Sequence, residues 1–468
     1  MIGRKTALYV AMLLAAVGLF LLIRQRGEAL TPAAAATLPA DPTRKPEALP
    51  HVLLALAAVI FAGKLLGRAF TSIGQPPVIG EVVAGILLGP SLLGRVWPAG
   101  MAWLLPPGVA PFLGVIAQIG VILYMFLVGL ELNLDRLRAR AAQTVAVAHA
   151  GISLPFVLGA GLALPLFRPL APPGVPFTSF ALFLGVSLSV TAFPVLARVL
   201  SDRGLTKTDL GVMALGCAAV GDVTAWCLLA LVVGVAQAQP GNAVLVTALS
   251  AGFVALMFLV VRPVAVRVAS RYRDALPPEL LAGILVSVLL SALATEAIGI
   301  HAVFGAFLLG AVIPHDSAIA RVFPHKLEDV VTTLFLPAFF AFTGLRTQIG
   351  LVAGWDNWLI CGGIILTATI GKFGGTLLAA RLTGQGWRGS AALGVLMNTR
   401  GLMELIVLNI GLDLGVISPT LFAMMVLMAL ITTMATAPLL RALHADPREP
   451  RVPAADDPGA FAKPVTVS

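Results

Sequence analysis

The chain is built from apolar runs of about the length that crosses a bilayer, repeated too often for any water-soluble core. A spanning helix needs about 20 predominantly apolar residues. Thirteen such runs follow residue 50: 51–70, 77–93, 110–131, 142–164, 177–198, 208–235, 243–266, 278–299, 301–314, 328–345, 357–382, 388–411 and 417–442. The second and ninth are short. A further run, 7–23, precedes them. Hydrophobic residues make up 59% of the 468 positions and charged ones 11%, against roughly 45–50% and ~25% in soluble domains. The excess has no interior to fill in a soluble domain of this length, which excludes a soluble enzyme, a nucleic-acid binder and a disordered scaffold. The runs are continuous rather than alternating, which also excludes an outer-membrane barrel. The expected fold is therefore an all-α polytopic membrane protein.

The net charge of +9 is explained by orientation, without nucleic acid. Alternate gaps between spans hold Arg68, then Arg136, Arg138 and Arg140, then Arg203 and Lys207, then Arg267, Arg271 and Arg273, then Arg321 and Lys326, then Arg381. The opposite gaps hold Arg95, Arg168 and Arg346. Positive charge collects on the cytoplasmic side, so the crowded gaps and the C-terminus are expected inside a cell (inner) membrane, with lipid as surroundings. Thirteen spans then leave residue 50 outside, and 7–23 must cross once, as a retained helix or a signal sequence. The expected domains are 1–50, an apolar segment and linker; 51–443, the membrane domain; and 444–468, a short disordered tail. Cys217, Cys227 and Cys361 lie inside apolar runs and read as small core residues, with no metal or disulfide spacing.

Two spans are interrupted. In SLSVTAFPVL (187–196), Pro194 removes a donor and crowds the carbonyl of Val190, and Ser187, Ser189 and Thr191 cluster beside it. In MNTRGLMELI (397–406), Asn398, Thr399, Arg400 and Gly401 fall mid-span. Freed backbone groups are tolerated in a membrane only where they face protein or a watery cavity. These are spans five and twelve. An odd offset makes them cross in opposite directions, the pattern of an inverted-repeat transporter with its site near the midplane.

Ionisable residues inside spans are costly and point to function. Asp222 lies mid-span in CAAVGDVTAW, among Ala218, Ala219, Gly221 and Ala225, whose small side chains let another helix approach. Lys372 lies mid-span in IGKFGG, and the two are expected to form an ion pair. Burial disfavours the carboxylate's charge, and a cation beside it favours that charge. A proton and a metal ion therefore compete for it, with Ser189, Thr191 and the freed carbonyls replacing the ion's lost water. Arg400 and Glu404, four apart, suit a pair with either a structural or a gating role. Asn398 shares those alternatives. So does Glu81 at the start of span two, where a carboxylate also suits the helix dipole. Glu131 reads as structural, Glu296 and His301 flank an external turn, and His149 reads as a satisfied core residue.

The segments PPVIGEVVAGILLGPSLLG (76–94), IGVILYMFLVGLELN (119–133), SVTAFPVLARVL (189–200), GDVTAW (221–226), HAVFGAFLLGAVIP (301–314), FTGLRT (342–347), GKFGG (371–375) and MNTRGLMELIVLNIG (397–411) resemble the monovalent cation:proton antiporter-2 family. The resemblance implies about thirteen core helices with two crossed discontinuous ones, a homodimer, and exchange of Na⁺ or K⁺ for H⁺ by alternating access. It implies no organic cofactor and no covalent catalysis. By position, Asp222 resembles the family's ion- and proton-binding aspartate, Thr191 the unwound-helix residue beside it, and Lys372 the lysine released when the ion binds. Gly221 stands where many electrogenic members carry an acidic residue, leaving one carboxylate fewer. No stretch of the sequence resembles the nucleotide-binding domain of the potassium efflux members, so glutathione or nucleotide gating is not expected. Two other readings share the scaffold: a K⁺ uniport or efflux pathway, and a bile-acid-type organic-anion transporter.

Overall fold

With no water in the hydrocarbon to bond an open backbone, each apolar run must close its hydrogen bonds within itself. The computed structural model describes residues 2–28, 48–131, 141–206, 208–237, 243–272 and 276–443, and the regular structure among them is helical. In order these are α1 (Ile2–Gly27), α2 (Ala48–Ser72), α3 (Pro77–Leu88), α4 (Leu93–Val96), α5 (Pro98–Leu104), α6 (Ala110–Glu131), α7 (Ala141–Leu170), α8 (Phe177–Ser189), α9 (Phe193–Asp202) and α10 (Asp209–Gln237). There follow α11 (Ala243–Leu256), α12 (Arg262–Arg271), α13 (Pro278–Ile298), α14 (Ala302–Val312), α15 (Ala318–Val330), α16 (Leu336–Arg346), α17 (Trp355–Leu382), α18 (Trp387–Met397), α19 (Leu402–Asp413) and α20 (Pro419–Ala442). Single π-turns, Met257–Val261 and Val331–Phe335, join α11 to α12 and α15 to α16.

Among the described residues, eleven helices are long and apolar enough to cross a membrane. The pair α18–α19, bent by 44°, makes a twelfth if taken as one span, and α8 and α14 are shorter apolar helices. The short ninth run is thus a helix of only 11 residues. The segment 7–23 is part of α1, which packs on α7 and α8. Arg136, Arg138, Arg140, Lys207 and Arg273 of the basic gaps lie outside the described residues, as do 29–47 of the linker and the tail from 444. The helix of Glu131 is described; its side chain is not.

Helix packing separates two bundles. In the first, α2, α3, α6, α13, α14 and α16 pack on one another; in the second, α7, α8, α9, α10, α17, α18, α19 and α20 do. Contacts recur between spans seven apart in sequence: α3 packs on α16 as α14 packs on α6, and α7 packs on α8 as α17 packs on α18. Small residues set the tightest approach in the second bundle. A Cβ on Gly371 would sit 2.7 Å from Pro155 Cα, and one on Gly375 2.6 Å from the Ala150 carbonyl. This draws α17 onto α7 and fixes where the intervening Lys372 projects. One sequence expectation fails here. Cys217 and Cys361 are buried but Cys227 is exposed on α10, because an outward helix face accepts small apolar side chains as readily as a core does.

Candidate functional site

The first break forms where Pro194 denies the helix a donor. The α8 helix stops at Ser189, Val190 is extended at ψ 142°, and α9 starts at Phe193. The last carbonyls of a helix have no intrahelical partner, and the macrodipole puts partial negative charge there. Three successive carbonyls at this end are held by two buried cations. Arg400 donates from Nη1 to the Ser187 carbonyl at 2.9 Å and from Nη2 to the Leu188 carbonyl at 2.6 Å. Lys372 donates from Nζ to the Ser189 carbonyl.

The second break crosses the first. Thr191 Oγ1 donates to the Met397 carbonyl at 3.1 Å, and the Ala192 amide donates to the Thr399 carbonyl at 3.1 Å. Each interrupted helix thus satisfies the other's loose backbone. Thr433 of α20 closes the second break from behind: its hydroxyl donates to the Arg400 carbonyl at 2.7 Å and accepts from the Arg400 amide at 2.9 Å. Thr399 and Thr436 hydroxyls lie 3.4 Å apart.

Arg400 and Glu404 pair as their spacing suggests, at 2.7 Å, both 0% exposed. Asp222 is 3% exposed on α10, which packs against α7, α8, α9 and α18 and so borders both breaks. Its Oδ1 has no hydrogen-bond partner. Lys372 is within electrostatic range of Asp222, Arg400 and Glu404. The cluster therefore holds two side-chain cations and two carboxylates, and it is neutral when Asp222 is ionised and +1 when Asp222 carries a proton or a bound cation.

In this conformation Lys372 bonds the Ser189 carbonyl, at a helix end with no intrahelical amide to offer, while it stays within electrostatic range of Asp222. The carbonyls of Ser187, Leu188 and Ser189 each hold one side-chain cation and keep a second lone pair. Of the other expected site residues, Ser189 gives its hydroxyl hydrogen to the carbonyls of Gly185 (2.7 Å) and Ile152 (3.0 Å). Thr191 gives its hydrogen to Met397. Both keep oxygen lone pairs. Asn398 caps α18 with an unpartnered, buried Oδ1. Glu81 sits in the other bundle, its carboxylate 3.3 Å from Lys64 on α2. His149 is satisfied, its Nδ1 2.9 Å from the Val145 carbonyl and its Nε2 3.4 Å from Thr224.

Sequence reasoning passed over Thr433 and Thr436, although ITTMAT is an unusually polar patch inside an apolar span. It also passed over the polar bridge between the bundles. Asn409 of α19 donates to Thr343 of α16 at 2.8 Å, and Arg346 reaches Asn409 at 3.3 Å and Asp413 at 2.5 Å. Beside this bridge lies a cavity of about 310 Å³, lined by Gln118, Glu296, His301, Phe339, Ile406 and Asp413 among others.

Residues 53–442 match the family profile described as the transmembrane sodium/hydrogen exchanger. The chain is 43% identical over 401 residues to the Na⁺/H⁺ antiporter NhaS4 of Synechocystis sp., covering 85% of this chain and 98% of that protein. It is 40% identical to cation/H⁺ antiporter 19 of Arabidopsis thaliana (86% of this chain, 50% of that protein) and 33% identical to K⁺/H⁺ antiporter 1 of Saccharomyces cerevisiae (83% and 46%). It spans about half the length of those plant and yeast relatives. In fold it is similar to the sodium/proton antiporter MjNhaP1 of Methanocaldococcus jannaschii, with a TM-score of 0.61, 16% identity, and 84% and 99% of the two chains covered. These relatives do not favour the uniport or organic-anion readings.

Proposed function

Since this chain belongs to the sodium/hydrogen exchanger family, we propose that it is a secondary active antiporter in which Asp222 alternately carries H⁺ and an alkali cation, Na⁺ or K⁺. The observation that carries this reading is a carboxylate 3% exposed, with one oxygen unpartnered, beside two crossed helix breaks. An ionised carboxylate so placed is costly unless a cation or a proton joins it. Because one side chain serves both, loading with one excludes the other, and that exclusion is what couples their fluxes.

Held on the Ser189 carbonyl, Lys372 stabilises the ionised form of Asp222 from a distance while the site is empty and leaves the carboxylate free to bind. Ser189 and Thr191 offer lone pairs from the first break. The bundle carrying both breaks moves against the first bundle, so that Asp222 meets the two sides in turn. The reading extends to a homodimer in a cell membrane, with the C-terminus cytoplasmic and lipid around the apolar faces. It includes neither a resident cofactor nor catalysis of a covalent reaction.

The test is proton movement in proteoliposomes holding a pH-sensitive dye. Addition of Na⁺ or K⁺ to the wild type should move H⁺, and Asp222→Asn should abolish the response while leaving the protein folded by size-exclusion chromatography. A folded Asp222→Asn protein that still exchanges would overturn the assignment.

A further inference from the structure

The crossing leaves few polar atoms without a partner. Thr191, Ala192, Thr399, Lys372 and the two Nη groups of Arg400 are all bonded. Hydroxyls without a partner, on Ser187, Thr376 and Ser390, carry a hydrogen of their own and can act either way. Glu404 Oε1 is unpartnered, but its carboxylate is already matched by Arg400, whose Nε is unpartnered as well. Two acceptor oxygens then remain beside the breaks: Asp222 Oδ1 and Asn398 Oδ1.

Asn398 sits where α18 ends and the second break begins, 7% exposed. Its amide satisfies itself on the Gly394 and Val395 carbonyls, both at 3.2 Å. Its side-chain oxygen gains nothing from that turn. The helix it terminates packs directly on α10, which carries Asp222. A buried oxygen with no donor is unfavourable, and native structures seldom keep one without a use. Small alkali and alkaline-earth cations take hard oxygen ligands, carboxylate and amide carbonyl among them.

We propose that the Asn398 carboxamide oxygen is a second ligand of the transported cation, acting with Asp222. This rests on the reading of Asp222 as the carrier and deepens it. The two oxygens divide the work by chemistry. A carboxylate binds both cargoes, whereas a carboxamide does not take a proton near neutral pH and offers only its dipole. Asn398 therefore sets affinity for the metal ion and leaves affinity for H⁺ untouched.

The experiment is exchange in proteoliposomes with Na⁺ and with K⁺ at several pH values, alongside thermal unfolding of the purified protein with and without each cation. Asn398→Ala should raise the apparent KM for the cation about tenfold, as loss of one moderate contact does. The maximal rate should stay within about twofold and the slope of KM against pH should be unchanged. The cation-dependent rise in Tm should need about tenfold more cation to reach the wild-type value. Asn398→Asp keeps an oxygen in place but adds a titrating group, so it should retain cation binding and steepen the pH dependence. Cation KM and cation-dependent Tm within twofold of wild type in a folded Asn398→Ala protein would overturn the proposal. Should Asn398→Ala not fold, a wild-type KM and pH slope in Asn398→Asp would do the same. Asp222→Asn is run in parallel. If it still exchanges, the carrier reading itself fails; if it is dead while Asn398→Ala behaves as wild type, only the second ligand is lost.

Discussion

The short helix α19 ends in two arginine–carboxylate pairs that differ in almost everything except chemistry. At its start, Arg400 and Glu404 meet at 2.7 Å with both side chains 0% exposed. At its end, Asp413 meets Arg346 of the other bundle at 2.5 Å, with the two side chains 33% and 28% exposed. The inner pair joins the second break to the first turn of α19, and its guanidinium is shared with two carbonyls of α8. It ties the two breaks together and has no reason to open. The outer pair spans the two bundles at a watery rim, where screening makes it weak. Burial thus separates a fixed strut from a contact that is easily parted, and the weak one is the pair that joins the two bundles.

The largest effect should come from breaking the strut. Arg400→Leu leaves a buried carboxylate and two helix-end carbonyls unmatched, and should lose roughly 3–5 kcal/mol of stability. Thermal unfolding by size-exclusion chromatography should show a large drop in Tm. Removing both charges, as Arg400→Met with Glu404→Leu, should recover part of that loss. A double variant no more stable than the single would mean that the carbonyl contacts, and not the ion pair, hold the region. Next in size is the outer pair. Arg346→Gln should change stability by no more than ~1 kcal/mol, and the difference from wild type should shrink in high salt. A loss as large as that of Arg400→Leu would erase the contrast.

The smallest effect concerns His301, in the turn between α13 and α14. Burial lowers its pKa below the usual 6.5, and the charges of Glu296 and Asp413 only partly oppose this. Its Nδ1 accepts from the Val303 amide at 3.4 Å, which requires that nitrogen to be unprotonated. The unfolded chain therefore takes up a proton before the folded one does. Stability contributed here is full above the unfolded pKa and falls as pH drops through about 6.5. His301→Asn keeps a cap acceptor and cannot titrate, so its Tm should decline less than wild type between pH 7 and pH 5. Parallel decline would remove His301 from the acid response.

Much of this architecture was legible in the sequence because it is dictated locally. Run length fixes a spanning helix, Pro194 fixes the first break, and NTRG fixes the second. Asp222 and Lys372 are conspicuous because charge inside an apolar run is costly. The spacing of Arg400 and Glu404 predicts their pairing. What periodicity does not carry is the identity of partners far apart along the chain. Lys372 lies 183 residues from the carbonyl it holds, and Arg400 more than 200 from its own. Proximity in sequence says nothing about which cation reaches which helix end, so the contact of Lys372 with the Ser189 carbonyl was not foreseeable. The Thr343–Asn409 bridge was hidden for a similar reason: a single Thr or Asn in an apolar helix has many ways to be satisfied.

The bonds from Thr191 to Met397 and from Ala192 to Thr399 run between two segments that both lack regular structure of their own. Neither can rewind or melt without stranding a polar group of its counterpart in a place that water does not reach. The pair consequently opens as one cooperative unit, and damage at Thr191 should appear as faster amide exchange around Thr399, in a break more than two hundred residues away in the chain.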